Sequence, residues 1–215
     1  MPAASEIVTK SFDYDGNRQV SVYVPRRPAE VIVYCGDGQL ITQWGEDLEE
    51  VDVPSTMIVG THRIDDETIR LHEYSPKFDP EKFAAHEDFF IHDVSTWIDS
   101  EFGLNLPSEK TAVFGVSASG EFALAMGVRH PDRFGAVFSA SPGAGYRPPE
   151  KLPTPMPRTY LVAGIQEPFF LENAMRWVSA LRDSGDEVLM RERDAGHDDS
   201  MWRKEFPLMI AWAFA

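Results

Sequence analysis

Cysteine, long apolar runs and positive charge are all scarce in this sequence, and each scarcity excludes a class of protein. The 215 residues include a single cysteine, Cys35, so no disulfide can form within the chain. No apolar run approaches the roughly 20 residues of a membrane-spanning helix. Residues 1–6 have neither the basic nor the apolar segment of a signal peptide. We therefore expect a cytoplasmic protein without a membrane partner.

The shortage of positive charge argues against polyanionic partners. Lys and Arg total 20 against 35 Asp and Glu, for a formal net charge of -15. Nucleic acids and anionic membranes are bound by clustered cations, so neither is expected as a partner. The sequence also has no His-Glu-x-x-His pair, phosphate loop or dinucleotide fingerprint. His86 and His92 are six residues apart, on different faces of a predicted helix. The sequence thus predicts no metal and no cofactor.

Apolar runs alternate regularly with helical segments along the chain. Hydrophobic residues make up 43% of the sequence, enough for the core of one domain over residues 1–215. A hairpin is predicted where segments 7–12 and 19–24 flank the turn signal Asp15-Gly16. Short apolar runs that suit strands of a buried parallel sheet follow at 31–35, 56–60, 111–116, 136–139, 159–163 and 187–191. Predicted helices cover 80–102, 119–129, 169–183 and 202–214. This order is typical of a three-layer α/β sandwich, with a mostly parallel sheet and an antiparallel N-terminal hairpin.

The most informative stretch is Thr111-Ala-Val-Phe-Gly-Val-Ser-Ala-Ser-Gly120. An apolar strand ends in Ser117 and a helix-forming segment follows at once, which is the architecture of a nucleophile elbow. Such a turn projects the serine hydroxyl toward a base and a substrate carbonyl. Small residues two before and two after the serine let the turn close. Here they are Gly115 and Ser119, and because glycine is usual at both places, Ser119 is a departure. Ser119 is itself a rival nucleophile, but Glu121 stands where it would need a small residue.

A serine nucleophile needs an acid and a base, which should follow it in the order Ser, acid, His. Of the six histidines, only His197 lies beyond the last predicted strand, in a loop before the final helix. The acid should follow the strand 159–163, where Glu167 is the only carboxylate of the loop. A glutamate can hold the imidazole and stabilise its positive charge as an aspartate does. Asp194 and Asp198 are rivals, but they crowd His197 in sequence.

An oxyanion hole requires two backbone N–H donors. Ala118, directly after the predicted nucleophile, would supply one. The other is expected from the loop Gly36-Asp-Gly-Gln39, whose glycines allow the backbone to approach a ligand closely. The sequence leaves Gly38 and Gln39 open as the second donor.

Aromatic residues near predicted strand ends are the candidates for substrate contact. Trp44, Tyr146 and Trp202 lie near predicted strand ends, where parallel sheets bind their ligands, and they are the candidates. Residues 143–157 contain five prolines and are expected to form a structured loop. This loop is either a small lid over the site or a connection.

Together these motifs resemble the "putative esterase" branch of the α/β hydrolases, which includes esterase D, the enterochelin esterases and the mycolyltransferases. The resemblance covers most of the chain from about Val31 onward. Segment 34–39 is similar to the family's Asp-Gly loop and segment 70–76 to its Arg-x-x-Glu segment. Segments 115–120 and 129–135 resemble its elbow and the turn after the elbow helix. Segments 162–168 and 196–198 resemble its acid and base loops.

The resemblance implies an α/β-hydrolase fold and a serine carboxylesterase that acts on a small-molecule ester without a cofactor. His197 would deprotonate Ser117, which attacks the ester carbonyl, and water would then release the acyl enzyme. Acyl transfer, the activity of one branch of the family, stays open. A catalytically silent scaffold that binds a ligand or a protein is the alternative from another class. The sequence carries no signal for an oligomeric state.

Overall fold

A computed structural model describes residues 4–215. Residues 1–3, on which part of the signal-peptide prediction rests, lie outside the described residues. The strands are β1 (Glu6–Ser11), β2 (Gln19–Val24), β3 (Val31–Cys35), β4 (Thr56–Thr61), β5 (Thr111–Val116), β6 (Ala136–Ala140), β7 (Arg158–Gly164) and β8 (Val188–Arg193). The helices are α1 (Gly38–Ile41), α2 (Gly45–Glu49), α3 (Glu67–Tyr74), α4 (Pro80–Asp88), α5 (Val94–Phe102), α6 (Ala118–Arg129), α7 (Pro168–Ser184) and α8 (Asp199–Phe214). Within residues 4–215, no helix combines the length and the apolar composition that crossing a bilayer requires.

All eight strands belong to one sheet, in the order β1-β2-β4-β3-β5-β6-β7-β8. β1 pairs with β2 and β2 with β4 in antiparallel fashion, and the remaining neighbours are parallel. In the centre of the sheet β3 pairs with β5, and Cys35 stands opposite Phe114. The chain therefore leaves both strands at nearly the same level, and the residues that follow them meet at the carboxyl edge, where such sheets bind ligands.

Helices cover both faces of the sheet. Successive side chains of a strand point to opposite faces. In β3, Ile32 and Tyr34 belong to one core cluster, whereas Val33 and Cys35 belong to the other. The first cluster is closed by side chains of α3 to α7, and the second by side chains of α1, α2 and α8. This confirms the predicted fold class, a three-layer α/β sandwich with a mostly parallel sheet and an antiparallel N-terminal hairpin.

The helices depart from the prediction more than the strands do. The predicted helix 80–102 is interrupted by a π-helical turn, Phe89–Asp93, between α4 and α5. Helices α1, α2 and α3 were not predicted. α3 has the sequence ETIRLHEY, in which apolar residues are too few to show helical periodicity. Its start is nevertheless marked by Asp66, whose carboxylate accepts the N–H groups of Thr68 and Ile69.

Candidate active site

Ser117 lies in the sharp turn between β5 and α6, at the carboxyl end of a central strand. Its backbone has φ 57° and ψ -118°, a conformation that residues other than glycine rarely adopt and that a nucleophile elbow requires. The turn closes because Gly115 has no side chain, since a Cβ atom there would overlap the carbonyl group of Ser119. Ser117 lines two cavities at this edge.

Three of the predicted side chains are in contact at this edge. Nε2 of His197 lies 3.0 Å from Oγ of Ser117. Nδ1 of His197 lies 2.5 Å from Oε2 of Glu167. When Nδ1 carries the proton and donates it to the carboxylate, Nε2 is left as an acceptor that faces the serine hydroxyl. Contacts of this kind can supply a nucleophile, a base and an orienting acid.

Glu167 is 5% exposed, and its carboxylate is held from several sides. Oε1 accepts the backbone N–H of Gly164 at 2.6 Å and the hydroxyl of Ser141 at 2.5 Å. The Ser141 oxygen in turn accepts the indole N–H of Trp202 at 2.8 Å. Because these bonds occupy Oε1, Oε2 is left to face His197, so a buried carboxylate is both satisfied and oriented.

The rival acids have other partners. Asp198 caps α8, where its carboxylate accepts the N–H groups of Ser200 and Met201. Asp194 accepts the side-chain amide of Gln166 at 2.9 Å. Of the three carboxylates considered from the sequence, Glu167 is the one that contacts His197.

Aromatic rings fix the plane of the imidazole. Phe170 stacks on His197 with ring centroids 3.8 Å apart and an interplanar angle of 18°. Trp202 meets the same ring edge-on at 4.8 Å. Sequence reasoning missed Phe170 and Ser141. Phe170 lies in the first turn of α7, three residues after the predicted acid Glu167, and that proximity in sequence was a usable signal. Ser141 directly follows β6 at the carboxyl edge, which was a second one.

The loop after β3 is held tightly beside the serine. Gly38 begins α1 and Ala118 begins α6, so the N–H groups of both residues lack an acceptor within their own helices. Asp37 forms two bonds with the guanidinium of Arg70, at 2.9 and 2.7 Å. The N–H of Asp37 donates to the hydroxyl of Tyr74 at 3.0 Å. A Cβ atom on Gly38 would overlap the backbone of Gly60 in β4, which explains the glycine there.

Two cavities of about 370 Å³ each meet at Ser117. The His197 cavity, as we call the first, is lined by Gln39, Arg63, His197 and Trp202, among others. The Ala118 cavity is lined by Ala118 and Glu121 together with the apolar side chains of Leu71, Phe78, Phe169 and Phe170. Phe78 and Phe169 are 49% and 56% exposed, so large apolar surfaces stand at the mouth of the second cavity.

The three predicted substrate contacts occupy different surroundings. Trp202 lines the His197 cavity. Trp44 is 2% exposed and packs against Phe114 and Phe206 in the core, because the short helices after β3 turn it inward. This placement corrects the expectation that Trp44 faces substrate. Tyr146 stacks on Trp177 at 5.7 Å, beside the loop that lines the Ala118 cavity.

Residues 4–215 contain no group of three or more His, Cys, Asp or Glu side chains placed to hold a metal ion. His92 pairs with Asp88, and His86 is buried among aromatic rings, so the two histidines lie apart.

Comparisons with known proteins point to one family. The family model described as "Putative esterase" matches residues 11–149. None of the curated proteins matches the chain. Solved structures share the fold at low sequence identity. A ferulic acid esterase from Anaeromyces mucronatus is 17% identical, with a TM-score of 0.74 over 98% of this chain and 90% of its own. The S-formylglutathione hydrolase FrmB from Staphylococcus aureus is 12% identical, with a TM-score of 0.72 over 98% of both chains.

A longer relative shares the same fold. The enterobactin esterase FES from Shigella flexneri is 21% identical, with a TM-score of 0.76 over 97% of this chain. The present chain spans 58% of the length of that enzyme.

Proposed function

This chain belongs to the family described as "Putative esterase" and is a carboxylic ester hydrolase, and from that premise we propose that it hydrolyses a small-molecule ester through an acyl enzyme on Ser117. The observation that carries the proposal is the continuous contact from Ser117 through His197 to the buried carboxylate of Glu167, with distances of 3.0 and 2.5 Å. The Ser, acid, His order along the chain agrees with it.

In the first step Ser117 attacks the ester carbonyl carbon while its proton passes to Nε2 of His197. Glu167 stabilises the resulting imidazolium through Nδ1. The carbonyl oxygen becomes an oxyanion, and the N–H of Ala118 together with that of Gly38 or Gln39 would donate to it. When the tetrahedral intermediate collapses, the alcohol leaves with the proton from Nε2 and the acyl group remains on Ser117.

In the second step the same groups act on water. His197 removes a proton from a water molecule, whose oxygen attacks the acyl carbon. A second oxyanion forms at the same donors, and its collapse returns the proton to Ser117 and releases the carboxylic acid. No metal or cofactor takes part in these steps.

Each of the two cavities holds one part of the ester. The leaving alcohol has to lie beside Nε2, which protonates it, and His197 lines the first cavity. The acyl group then extends into the Ala118 cavity, where phenylalanine and leucine side chains favour an apolar group. The proposal is thus an esterase for small esters with an apolar acyl part.

Labelling with a fluorophosphonate tests the proposal. The probe should label Ser117 of the wild type, identified by peptide mass spectrometry, and Ser117→Ala should abolish the label. Hydrolysis of p-nitrophenyl butyrate should fall about 10⁴- to 10⁶-fold in Ser117→Ala and His197→Ala, because each removes a group that bonds the reacting atoms. Glu167→Gln should retain more activity, at a loss of about 10³- to 10⁴-fold.

Two exposed positions supply matched controls. Ser184→Ala changes an exposed serine at the end of α7, and His92→Ala changes an exposed histidine that pairs with Asp88. Both variants should be labelled by the fluorophosphonate and should hydrolyse p-nitrophenyl butyrate as the wild type does. A folded wild-type protein that takes no label would contradict the proposal and favour the silent scaffold. Transfer of the acyl group to an added alcohol in preference to water would instead identify a transferase.

A further inference from the structure

Ser119 occupies the elbow position at which glycine is usual, and its hydroxyl is fully engaged. The residue is completely buried. Its oxygen accepts the N–H of Val116 at 2.9 Å and lies 2.6 Å from Oδ2 of Asp37. The single hydroxyl proton can reach Asp37 or, at 2.9 Å, the carbonyl oxygen of Val116. The shorter contact to a charged acceptor is the stronger, so Ser119 donates to a carboxylate 82 residues away in the sequence.

Asp37 has a backbone conformation that its surroundings must maintain. Its φ and ψ are 52° and 37°, in the left-handed region, and it is 2% exposed. Residues other than glycine stay there when neighbouring groups hold them in place. The carboxylate of Asp37 is held by Arg70 on one side and by Ser119 on the other. A rotation of Asp37 would move the amides of Gly38 and Gln39, which follow it directly.

The contact between Ser119 and Asp37 therefore joins the neighbours of both oxyanion donors. Ala118 immediately precedes Ser119, and Gly38 immediately follows Asp37. We infer that Ser119 is a positioning residue for the oxyanion hole. Its hydroxyl fixes the distance between the loop after β3 and the elbow, so that the N–H of Ala118 and that of Gly38 or Gln39 can donate to one oxygen atom. The inference rests on the proposed function, because it assigns the reacting oxygen to these amides.

The surrounding packing separates the role of the hydroxyl from that of the side chain's bulk. A Cβ atom on Gly36 would lie 2.9 Å from Cβ of Ser119 and 2.9 Å from the hydroxyl of Tyr74, so the serine side chain fits because residue 36 is glycine. Ser119→Ala keeps Cβ and its packing and removes only the hydroxyl. Asp37 would keep its two bonds to Arg70, so the loop would remain folded but would be less exactly placed relative to the elbow.

The experiment compares Ser119→Ala with the wild type in hydrolysis of p-nitrophenyl butyrate. We expect kcat to fall about 10-fold, less than the 10²- to 10³-fold that follows loss of a whole donor, while KM stays within about twofold. Phenylboronic acid, which forms a tetrahedral adduct with an activated serine, should bind more weakly by the same factor as kcat/KM falls. If the hydroxyl contributes only to stability, Ser119→Ala would lower the melting temperature and leave kcat and the boronate affinity unchanged.

Ser139→Ala is the matched control. Ser139 is also completely buried, and its hydroxyl donates to the carbonyl oxygen of Gly120 in the same helix at 2.8 Å, but its partner does not belong to the loop after β3. It should lose stability without losing boronate affinity. Ser119→Gly, which installs the usual elbow residue, is a second variant that should repeat the loss in kcat.

The outcomes separate this inference from the proposed function. If both Ser119 variants keep kcat and boronate affinity within twofold of a wild type that labels at Ser117, the inference fails and the proposed function stands. The same holds if KM rises in proportion as kcat falls. If the wild type neither labels with the fluorophosphonate nor hydrolyses esters, the proposed function itself fails.

Discussion

At the scale of the single residue, burial decides how His86 behaves. The side chain is completely buried, and within residues 4–215 neither ring nitrogen has a hydrogen-bond partner. The rings of Tyr14, Tyr74, Phe89 and Phe122 surround it. Burial lowers the pKa of His86 to about 3, and the nearby charge of Arg18 acts in the same direction. The folded protein therefore holds this imidazole in its neutral form.

We predict that His86 makes the protein sensitive to mild acid. In the unfolded chain a histidine takes up a proton near pH 6.5, whereas in the folded state His86 takes it up only near pH 3. The stability associated with the neutral ring is complete above pH 6.5 and falls as the pH decreases below it, by up to about 1.4 kcal/mol per pH unit. His86→Phe cannot be protonated, so its free energy of unfolding should decline less between pH 7 and pH 5.

Urea unfolding at pH 7, 6 and 5 measures this difference. His92→Phe is the control for the substitution itself, because it removes a histidine that is exposed and not the buried ring. If the free energy of unfolding declines equally with decreasing pH in His86→Phe and in the wild type, His86 does not cause the sensitivity to acid.

At the scale of the element, α6 is tied to the start of the segment 143–157. Glu121, in the first turn of α6, is 1% exposed, and its carboxylate accepts the N–H of Gly145 at 2.6 Å. Burial raises the pKa of Glu121 to about 7, against the opposing hydrogen bonds from the amides of Gly145 and Tyr146. The carboxylate thus anchors the loop that forms one wall of the Ala118 cavity. A role of this segment as a lid stays a prediction.

We predict that Glu121→Gln changes the pH dependence of stability in the opposite sense from His86→Phe. The folded protein holds the Glu121 proton up to about pH 7, whereas the unfolded chain releases it near pH 4.5. The associated stability is therefore complete below pH 4.5 and is lost as the pH rises through 7. Glutamine keeps a carbonyl acceptor for Gly145 and carries no charge, so the variant should gain stability relative to the wild type between pH 5 and pH 8.

Thermal unfolding of both proteins at pH 5, 6.5 and 8 tests this expectation. Glu101→Gln, at an exposed position of α5, is the matched control for replacing a glutamate with a glutamine. A difference for Glu121→Gln that does not change with pH would refute the assignment of the titration to Glu121.

At the scale of the whole molecule, the net charge of -15 opposes the compact state through mutual repulsion. Exposed ion pairs such as Arg26 with Glu46 and Arg203 with Asp47 offset little of it, because surface pairs contribute about 0 to 1 kcal/mol each. The buried pairs of Arg70 with Asp37 and Arg18 with Glu73 are shielded from solvent ions.

We predict that salt stabilises the protein. Raising NaCl from about 20 mM to about 0.5 M shortens the screening length to a few ångströms, which weakens repulsion across the surface and leaves the buried pairs nearly intact. The melting temperature should therefore rise. KCl should have the same effect if screening is the cause, and a melting temperature that falls with salt would mean that surface ion pairs outweigh the repulsion.

The local sequence pattern predicts the strand bounds and the elbow without reference to any tertiary contact. Strand bounds follow the short apolar runs to within two residues, because turn residues punctuate them and a buried strand needs apolar side chains on both faces. The elbow is also local, since Gly115, Ser117 and the helix after them are consecutive. The family resemblance and the fold class, both confirmed, rest on such segments. The roles assigned to Ser117, Glu167 and His197 were read from their order and stay a prediction.

Contacts between distant segments were decided by the tertiary structure alone. Ser117 and His197 are 80 residues apart, and Ser119 and Asp37 are 82 apart, so no periodicity links them. Trp44 was expected at the site because it is close to a strand end in sequence, but packing turned it into the core. Hydrophobic periodicity reports which way a residue faces within its own element. The partner it meets depends on how the sheet brings the ends of separate strands together, and that is why the elbow could be predicted while the hydrogen bond that ties it to the neighbouring loop could not.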